Sequence, residues 1–112
     1  MAIYEERIYE IQAGRMKEYL ERYRQLGYEV QTRHLGRPIG YFVSEIGDLN
    51  LVIQLRRYDT LADRALRRAK MEADPAWIRY REANSLQVNQ KNRILLAQDF
   101  CLLYDQQGDD AE

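Results

Sequence analysis

The sequence contains almost no cysteine or histidine. Among its 112 residues there is one cysteine, Cys101, and one histidine, His34. A single cysteine excludes a disulfide within the chain, and one cysteine with one histidine are too few for a protein-only zinc site. No metal-binding motif is present, so we predict neither a metal nor a cofactor. The lack of disulfides favours the reducing cytoplasm as the location of the protein.

The sequence also lacks an excess of charge of one sign. It has 17 Lys and Arg residues against 18 Asp and Glu residues, a net charge of -1. This balance creates no field that would attract nucleic acid or an anionic membrane, and we predict neither as a partner. The most basic cluster, Arg64, Arg67 and Arg68, shares one face of a predicted helix with acidic residues nearby. We interpret it as a solvated face, with one arginine bridging to the sheet or to a second subunit.

Long apolar runs are absent as well. The opening "MAIYEERIYE" has no apolar stretch of the kind found in signal peptides, and no segment approaches the length of a membrane span. The composition, 46% hydrophobic and 31% charged, is typical of a domain with a packed core and a solvated surface. We predict a single domain over residues 1–104 and a flexible acidic tail, "DQQGDDAE", over residues 105–112.

The hydrophobic pattern predicts an alternation of strands and helices. Strands are expected over Ile3–Ile11, Ile39–Ile46, Leu51–Tyr58 and Val88–Ala97. The order strand, helix, strand, strand, helices, strand is the ferredoxin-like arrangement. The predicted fold class is therefore α+β, with a four-stranded antiparallel sheet and helices on one of its faces.

The expected helices have recognisable start and stop signals. Apolar residues at helical spacing predict a first helix over Met16–Leu26, ended by a left-handed cap at Gly27, with a further turn or two after it. A capping box of Thr60 with Asp63 marks the start of the next helix. Asp74–Pro75 marks another start, because proline at the first helical position has no N–H to leave unsatisfied.

The predicted strands carry apolar residues on both faces. In the second strand, Tyr41 and Val43 have one parity and Phe42 and Ile46 have the other. A sheet with one face in water should alternate apolar and polar residues, so both faces of this sheet need cover. Helices can cover only one face, and the simplest cover for the other is the sheet of a second copy. We therefore predict a two-fold homodimer.

Several segments of the chain resemble the sequences of a known family. They are the opening "YEERIYEIQAGRMKEYLERY", the run "TRHLGRPIGYFVSEIGDLNLVIQLRRYDTLADRALRRA", and the shorter "DPAW" and "NRILL". Together they resemble the NIPSNAP family from about Tyr4 to Phe100. The match is densest over "GDLN", the strand that follows, "RYD" and the helix beyond it.

The resemblance implies a dimeric α+β barrel, in which two ferredoxin-like sheets close around each other. The NIPSNAP family offers no agreed catalytic set, but the wider barrel superfamily includes cofactor-free monooxygenases, lactone isomerases, polyketide cyclases and haem enzymes. These proteins use a pocket between sheet and helices, which is a likeness of fold alone. Where the family commonly has "HLWRY", this chain has "QLRRY" over residues 54–58, so no role of that histidine or tryptophan is carried over.

Polar side chains on one face of the third strand are the main site candidates. Alternation places Gln54, Arg56 and Tyr58 on a face that should be covered, where such groups need partners or a cavity. In one interpretation they line a pocket, with Arg56 holding a carboxylate or enolate and Tyr58 donating a proton. Residues of neighbouring strands would complete the pocket: Arg7, Tyr41 and Glu45. In the other, Arg56 and Arg7 form salt bridges with Glu5 or Glu45 in a dimer interface, and Tyr58 is packing.

Three further residues are candidates with a structural alternative. His34 would act as a general base or haem ligand if it faced a pocket, and otherwise forms a hydrogen bond to the backbone. Asn50, in the expected hairpin "GDLN", would contact a ligand or simply accept a left-handed turn conformation. Trp77 would stack on an aromatic ligand or anchor the last helix on the sheet.

These residues favour a homodimeric small-molecule-binding protein with a pocket between sheet and helices. Its ligand would be a small organic acid or aromatic compound, and it would be a cofactor-free enzyme of the isomerase, cyclase or monooxygenase type if the pocket supports chemistry. The alternative is a non-enzymatic binding or adaptor module that uses the barrel as a scaffold. The sequence leaves both hypotheses open.

Overall fold

The computed structural model describes residues 2–105, which form one antiparallel sheet with helices on one side. The strands are β1 (Ile3–Ile11), β2 (Gly40–Val43), β3 (Leu51–Tyr58) and β4 (Gln87–Leu95). The helices are α1 (Met16–Arg22), α2 (Tyr28–Leu35), α3 (Leu61–Glu72), α4 (Pro75–Ala83) and α5 (Leu102–Asp105), and a π-helical segment (Tyr23–Gly27) joins α1 to α2. The predicted tail from residue 106 onward lies outside the described residues.

The sheet has the strand order β2-β3-β1-β4, with every pair antiparallel. This topology confirms the predicted α+β ferredoxin-like fold. The bounds of β1 and β3 match the prediction, whereas β2 is shorter than expected and ends at Val43. The register brings Arg7 of β1 opposite Gln54 of β3 and Asn92 of β4, so side chains of the two central strands meet on one face.

The predicted left-handed cap at Gly27 is wrong. Gly27 has φ -109 and ψ -35, and the helix continues through it into α2. The reason for glycine here is a tertiary contact, because a Cβ at this position would lie 2.8 Å from ring atoms of Tyr80. Gly36, with φ 83, is the residue that ends this long helical region.

The other two helix starts form as predicted. The Thr60 side chain accepts a hydrogen bond of 3.0 Å from the backbone N–H of Asp63, while the Asp63 carboxylate binds Arg67. The Asp74 side chain accepts one of 2.9 Å from the N–H of Ala76, with Pro75 in the first helical position. Because both caps are local in sequence, they could be identified without knowing the fold.

The two faces of the sheet are covered to different extents by the rest of the chain. On the helix side, alternate residues of β3 are buried, and Tyr9 and Val52 pack with Tyr19 of α1 in a core cluster. On the opposite side, here called the open face, a row across three strands is formed by Ile8, Ile53 and Phe42. Phe42 is 55% exposed, and Ile8 and Ile53 are only partly buried.

The C-terminal part of the described chain lies against the edge of the open face. The Tyr4 hydroxyl donates a 2.9 Å hydrogen bond to the carbonyl of Leu103 in α5. Phe100 and Leu102 nearby are 87% and 76% exposed. Among the helices of the described residues, none is long and apolar enough to span a membrane.

Candidate functional site

A cavity of about 360 Å3 lies between the helix-side face of the sheet and the helices. The strands contribute Arg7, Tyr9, Gln54, Gln87 and Gln90 to its lining. The helical residues that line it include Tyr19, Tyr23, Arg68, Trp77, Tyr80 and Arg81, and Asn84 lines it directly after the end of α4. Its volume is within the range of roughly 300–1,000 Å3 that is usual for small-molecule sites.

The floor of the cavity is held by a buried charge cluster around Glu5. Its carboxylate lies 3.0 Å from Nη1 of Arg7 and 2.8 Å from Nη2 of Arg64, which reaches down from α3. Nδ2 of Asn92 adds a longer bond of 3.3 Å. Burial alone would raise the pKa of Glu5, but the Arg64 hydrogen bond and the charge of Arg7 outweigh burial and lower that pKa. Glu5 therefore stays ionised beneath the cavity.

Arg7 is fixed in place by its partners. Its Nε donates a 2.8 Å hydrogen bond to the Tyr9 hydroxyl, while Nη1 binds Glu5. The side chain is only 9% exposed and lines the cavity. Arg7 is therefore both an ion-pair partner of Glu5 within the chain and part of the cavity lining.

Of Arg7 and Arg68, the two arginines of the lining that are not exposed, Arg68 is the less neutralised. Its nearest carboxylate, that of Glu72, lies 3.5 Å away, and 52% of the Glu72 side chain is exposed. Burial lowers the pKa of Arg68, and the positive charge of Arg7 lowers it further. An anion in the cavity would relieve both effects.

Phenol groups form much of the helical wall. Burial raises the pKa of Tyr19 and of Tyr80, and it raises that of Tyr23 to about 12 even though the nearby charge of Arg56 lowers it. Nδ2 of Asn84 donates a 3.0 Å hydrogen bond to the Tyr80 hydroxyl. These hydroxyls stay protonated at neutral pH, so they serve as hydrogen-bond donors and acceptors and not as bases.

Gln54 and Trp77 both line the cavity. The Gln54 side chain is buried, and its Oε1 has no hydrogen-bond partner within residues 2–105. Trp77 packs on Tyr80, with ring centroids 5.0 Å apart, so it anchors α4 and contributes to the cavity wall at once.

Arg56, Tyr58 and Tyr41 share the buried face but lie outside the lining of this cavity. Arg56 donates to the carbonyl of Gly36 and, at 2.7 Å, to Oε1 of Gln31, which joins the sheet to α2. Tyr58 is buried, and in the described part of the chain its hydroxyl has no hydrogen-bond partner.

His34, Glu45 and Asn50 are not part of the cavity lining either. Nε2 of His34 lies 2.8 Å from the Asp74 carboxylate, which joins the end of α2 to the start of α4. Glu45 follows β2 and is exposed. Asn50 has φ 64, and its carbonyl accepts a 2.8 Å bond from the N–H of Ile11, so it serves the turn.

Several residues of the lining are not among the site residues predicted from the sequence. Tyr9 lies in the first predicted strand, Tyr19 and Tyr23 lie in the first predicted helix, and Arg68 belongs to the predicted solvated face. The available signal was the chain's 9 tyrosines, because a buried tyrosine brings a polar group into a core. Within the described residues there is no cluster of three or more metal-ligating side chains.

The fold and the cavity can be compared with known proteins. The sequence model of the NIPSNAP family matches residues 4–102. The chain belongs to the NIPSNAP family. This match confirms the resemblance read from the sequence, over nearly the same span. The comparison with curated proteins found no match.

Solved structures of other NIPSNAP proteins are similar over almost the whole chain. A NIPSNAP family protein from Agrobacterium tumefaciens C58 is 45% identical with a TM-score of 0.89, covering 92% of this chain and 99% of that one. An uncharacterized NIPSNAP-like domain protein from Burkholderia xenovorans is 41% identical with a TM-score of 0.86, covering 89% and 88%.

A more distant likeness extends beyond the NIPSNAP family. A Nitrosomonas europaea protein, described as a candidate antibiotic biosynthesis monooxygenase, is 13% identical with a TM-score of 0.60, covering 86% of this chain and 89% of that one. At this identity the likeness concerns the fold alone.

Proposed function

We propose that this NIPSNAP protein is a homodimer that binds a small organic acid in the helix–sheet cavity of each subunit. Three arginines line the cavity, and one of them, Arg81, is exposed. The observation that carries the proposal is the pair of guanidinium groups that are buried or half-buried in the lining, Arg7 and Arg68. Guanidinium groups bind carboxylates through paired, charge-assisted hydrogen bonds, and they do so best where water is excluded.

The balance of charge around the cavity supports an anionic ligand. Arg7 and Arg64 share the single carboxylate of Glu5, and Arg68 makes only the long contact with Glu72. Positive charge is thus in excess at a buried place, which costs free energy until a counter-charge arrives. A bound carboxylate supplies that charge.

The remainder of the lining supports an organic body on the acid. Trp77 and the tyrosines offer ring surfaces, and amides of Gln54 and Asn84 lie among them. An aromatic or branched acid of modest size would place its apolar part against the rings.

Binding is better supported than chemistry. The lining includes no histidine, cysteine or aspartate among the described residues, and Glu72 is its one carboxylate. The buried tyrosines have raised pKa values and make poor bases at neutral pH. A cofactor-free reaction in this cavity stays a prediction.

The open face supports the dimer. The apolar row of Ile8, Ile53 and Phe42 crosses the centre of the sheet, and Phe42 is more than half exposed. Apolar patches of this kind are usually covered by a partner. The sheet of a second copy, packed across a two-fold axis, matches the patch with itself.

The ligand proposal is tested by calorimetry with matched acids and amides. Benzoate and phenylacetate are expected to bind, and benzamide and phenylacetamide, which lack the charge, are expected to bind much more weakly. In Arg68→Gln the affinity for the acids should fall by about tenfold or more, the loss of one charge-assisted hydrogen bond.

Arg79→Gln is the matched control, because Arg79 is exposed on α4 and lies outside the cavity lining. It should bind the acids as the unmodified protein does. Equal binding of acids and amides, or equal losses in the two arginine variants, would contradict the proposed site.

A further inference from the structure

A second cavity, of about 310 Å3, opens on the other side of the first helical region. It is here called the aromatic cleft, and it is lined by Leu20, Tyr23, Arg24, Tyr28, Pro38 and Tyr41. Apart from Arg24 these side chains present hydrocarbon or ring surface. The aromatic cleft therefore suits an apolar group, whereas the first cavity, with its arginines, suits a charged one.

Tyr23 lines both cavities. Its ring stacks on that of Tyr41, with centroids 5.0 Å apart and an angle of 22° between the planes. It also meets the ring of Tyr28 edge-on, with centroids 6.1 Å apart. The Tyr23 side chain is thus the shared wall between the charged cavity and the aromatic cleft.

The hydrogen bond that holds Tyr23 is replaceable. Its hydroxyl donates to Oε1 of Gln31, and the same oxygen accepts a 2.7 Å bond from Nη2 of Arg56. If the Tyr23 ring turned away, Gln31 would keep the bond from Arg56, so no acceptor would be left unpaired there. Moving this wall would cost the ring contacts of Tyr23 and its own hydroxyl bond, but it would leave no unpaired acceptor at Gln31.

The backbone around Tyr23 is irregular in a way that often accompanies binding sites. Tyr23 is the first residue of the π-helical segment, in which the turn is wider than in an α-helix. Gly27, the last residue of the segment, packs directly on Tyr80 of the first cavity. One short segment is therefore in contact with both cavities.

We propose that the two cavities are the two halves of one site for an amphipathic acid. The carboxylate lies at Arg68 and Arg7, and an extended apolar tail passes Tyr23 into the aromatic cleft. This inference rests on the proposed function and adds to it the class of ligand: an acid with a long alkyl or alkyl-aryl tail, longer than the first cavity alone can hold.

The test measures affinity along a series of straight-chain acids, from butanoate through octanoate to dodecanoate, by calorimetry. Each buried CH2 should tighten binding by roughly fourfold, and the gain should persist to dodecanoate. A gain that stops at a short acid would overturn the two-cavity site while leaving the proposed function intact. Failure of every acid to bind would remove both.

A charged residue in the aromatic cleft tests whether the tail of the acid enters that cleft or only fills more of the first cavity. In Tyr28→Glu the ratio of dodecanoate to butanoate affinity should fall by at least tenfold, because the apolar tail would meet a carboxylate. Tyr28 is 39% exposed, so we expect the variant to fold. Leu66→Glu, at a 57% exposed position on α3 outside both cavities, should keep the ratio unchanged. The same ratio in both variants would refute the proposal.

Discussion

At the scale of single residues, Glu5 stands out as a charged side chain in a buried environment. Its side chain is fully buried and carries a charge, which is costly unless partners surround it. Arg7, Arg64 and Asn92 supply those partners from β1, α3 and β4. One carboxylate thus ties a helix to two strands beneath the cavity.

Glu5→Gln should lower the free energy of unfolding by about 3 kcal/mol, because Arg7 would remain buried without a counter-charge. Urea unfolding measures the change. Glu29→Gln is the control: Glu29 pairs with Arg33 at 2.8 Å, but 79% of its side chain is exposed, and the loss should be slight. Similar losses in both variants would mean that the Glu5 cluster contributes little.

We also expect the stability difference between the unmodified protein and Glu5→Gln to depend on pH. Because the pKa of Glu5 is lowered by folding, its stabilising contribution is fully present above the ordinary value of 4.5 and is lost as the pH falls through the folded-state pKa. The stability difference between the unmodified protein and Glu5→Gln should therefore shrink from about pH 7 to about pH 3. A constant difference would contradict the assignment.

At the scale of elements, some helix boundaries follow from local sequence signals and others depend on tertiary contacts. The cap at Thr60 forms within a few residues, and the sequence was enough to find it. Gly27 is a typical stop signal, yet the helix continues through it. Glycine is needed there because the ring of Tyr80, far along the chain, occupies the space that a Cβ would take. A sequence pattern cannot register a contact between residues this distant.

Thr60→Ala should lower the free energy of unfolding by about 1 kcal/mol, since the N–H of Asp63 loses its acceptor at the start of α3. Thermal and urea unfolding measure the loss. Thr60→Ser retains a hydroxyl and should recover most of the stability. An equal loss in the serine variant would show that the methyl group, and not the cap, matters.

At the scale of the whole molecule, the open face is the feature that supports the proposed assembly. Helices cover one side of the sheet, and the described chain leaves a partly exposed apolar row on the other. The proposed homodimer removes this row from water.

Ile53→Glu should convert the proposed dimer to a monomer at micromolar concentration, because two facing carboxylates would be buried near the two-fold axis. Sedimentation equilibrium measures the mass. Leu66→Glu, on the surface of α3, should leave the mass at that of the dimer. A monomeric unmodified protein would rule out the assembly altogether.

Much of the architecture was determined by the sequence alone. Alternation placed Gln54, Arg56 and Tyr58 on one buried face, helical spacing located the first helix, and the capping residues located two more, because all these signals act over a few residues. Only the tertiary structure decided which polar groups meet: Arg64 with Glu5, Arg56 with Gln31, and His34 with Asp74. Those pairs join residues that are distant in the sequence and adjacent in the fold. The cavity lies between the helices and the sheet, so its location depends on how these elements pack.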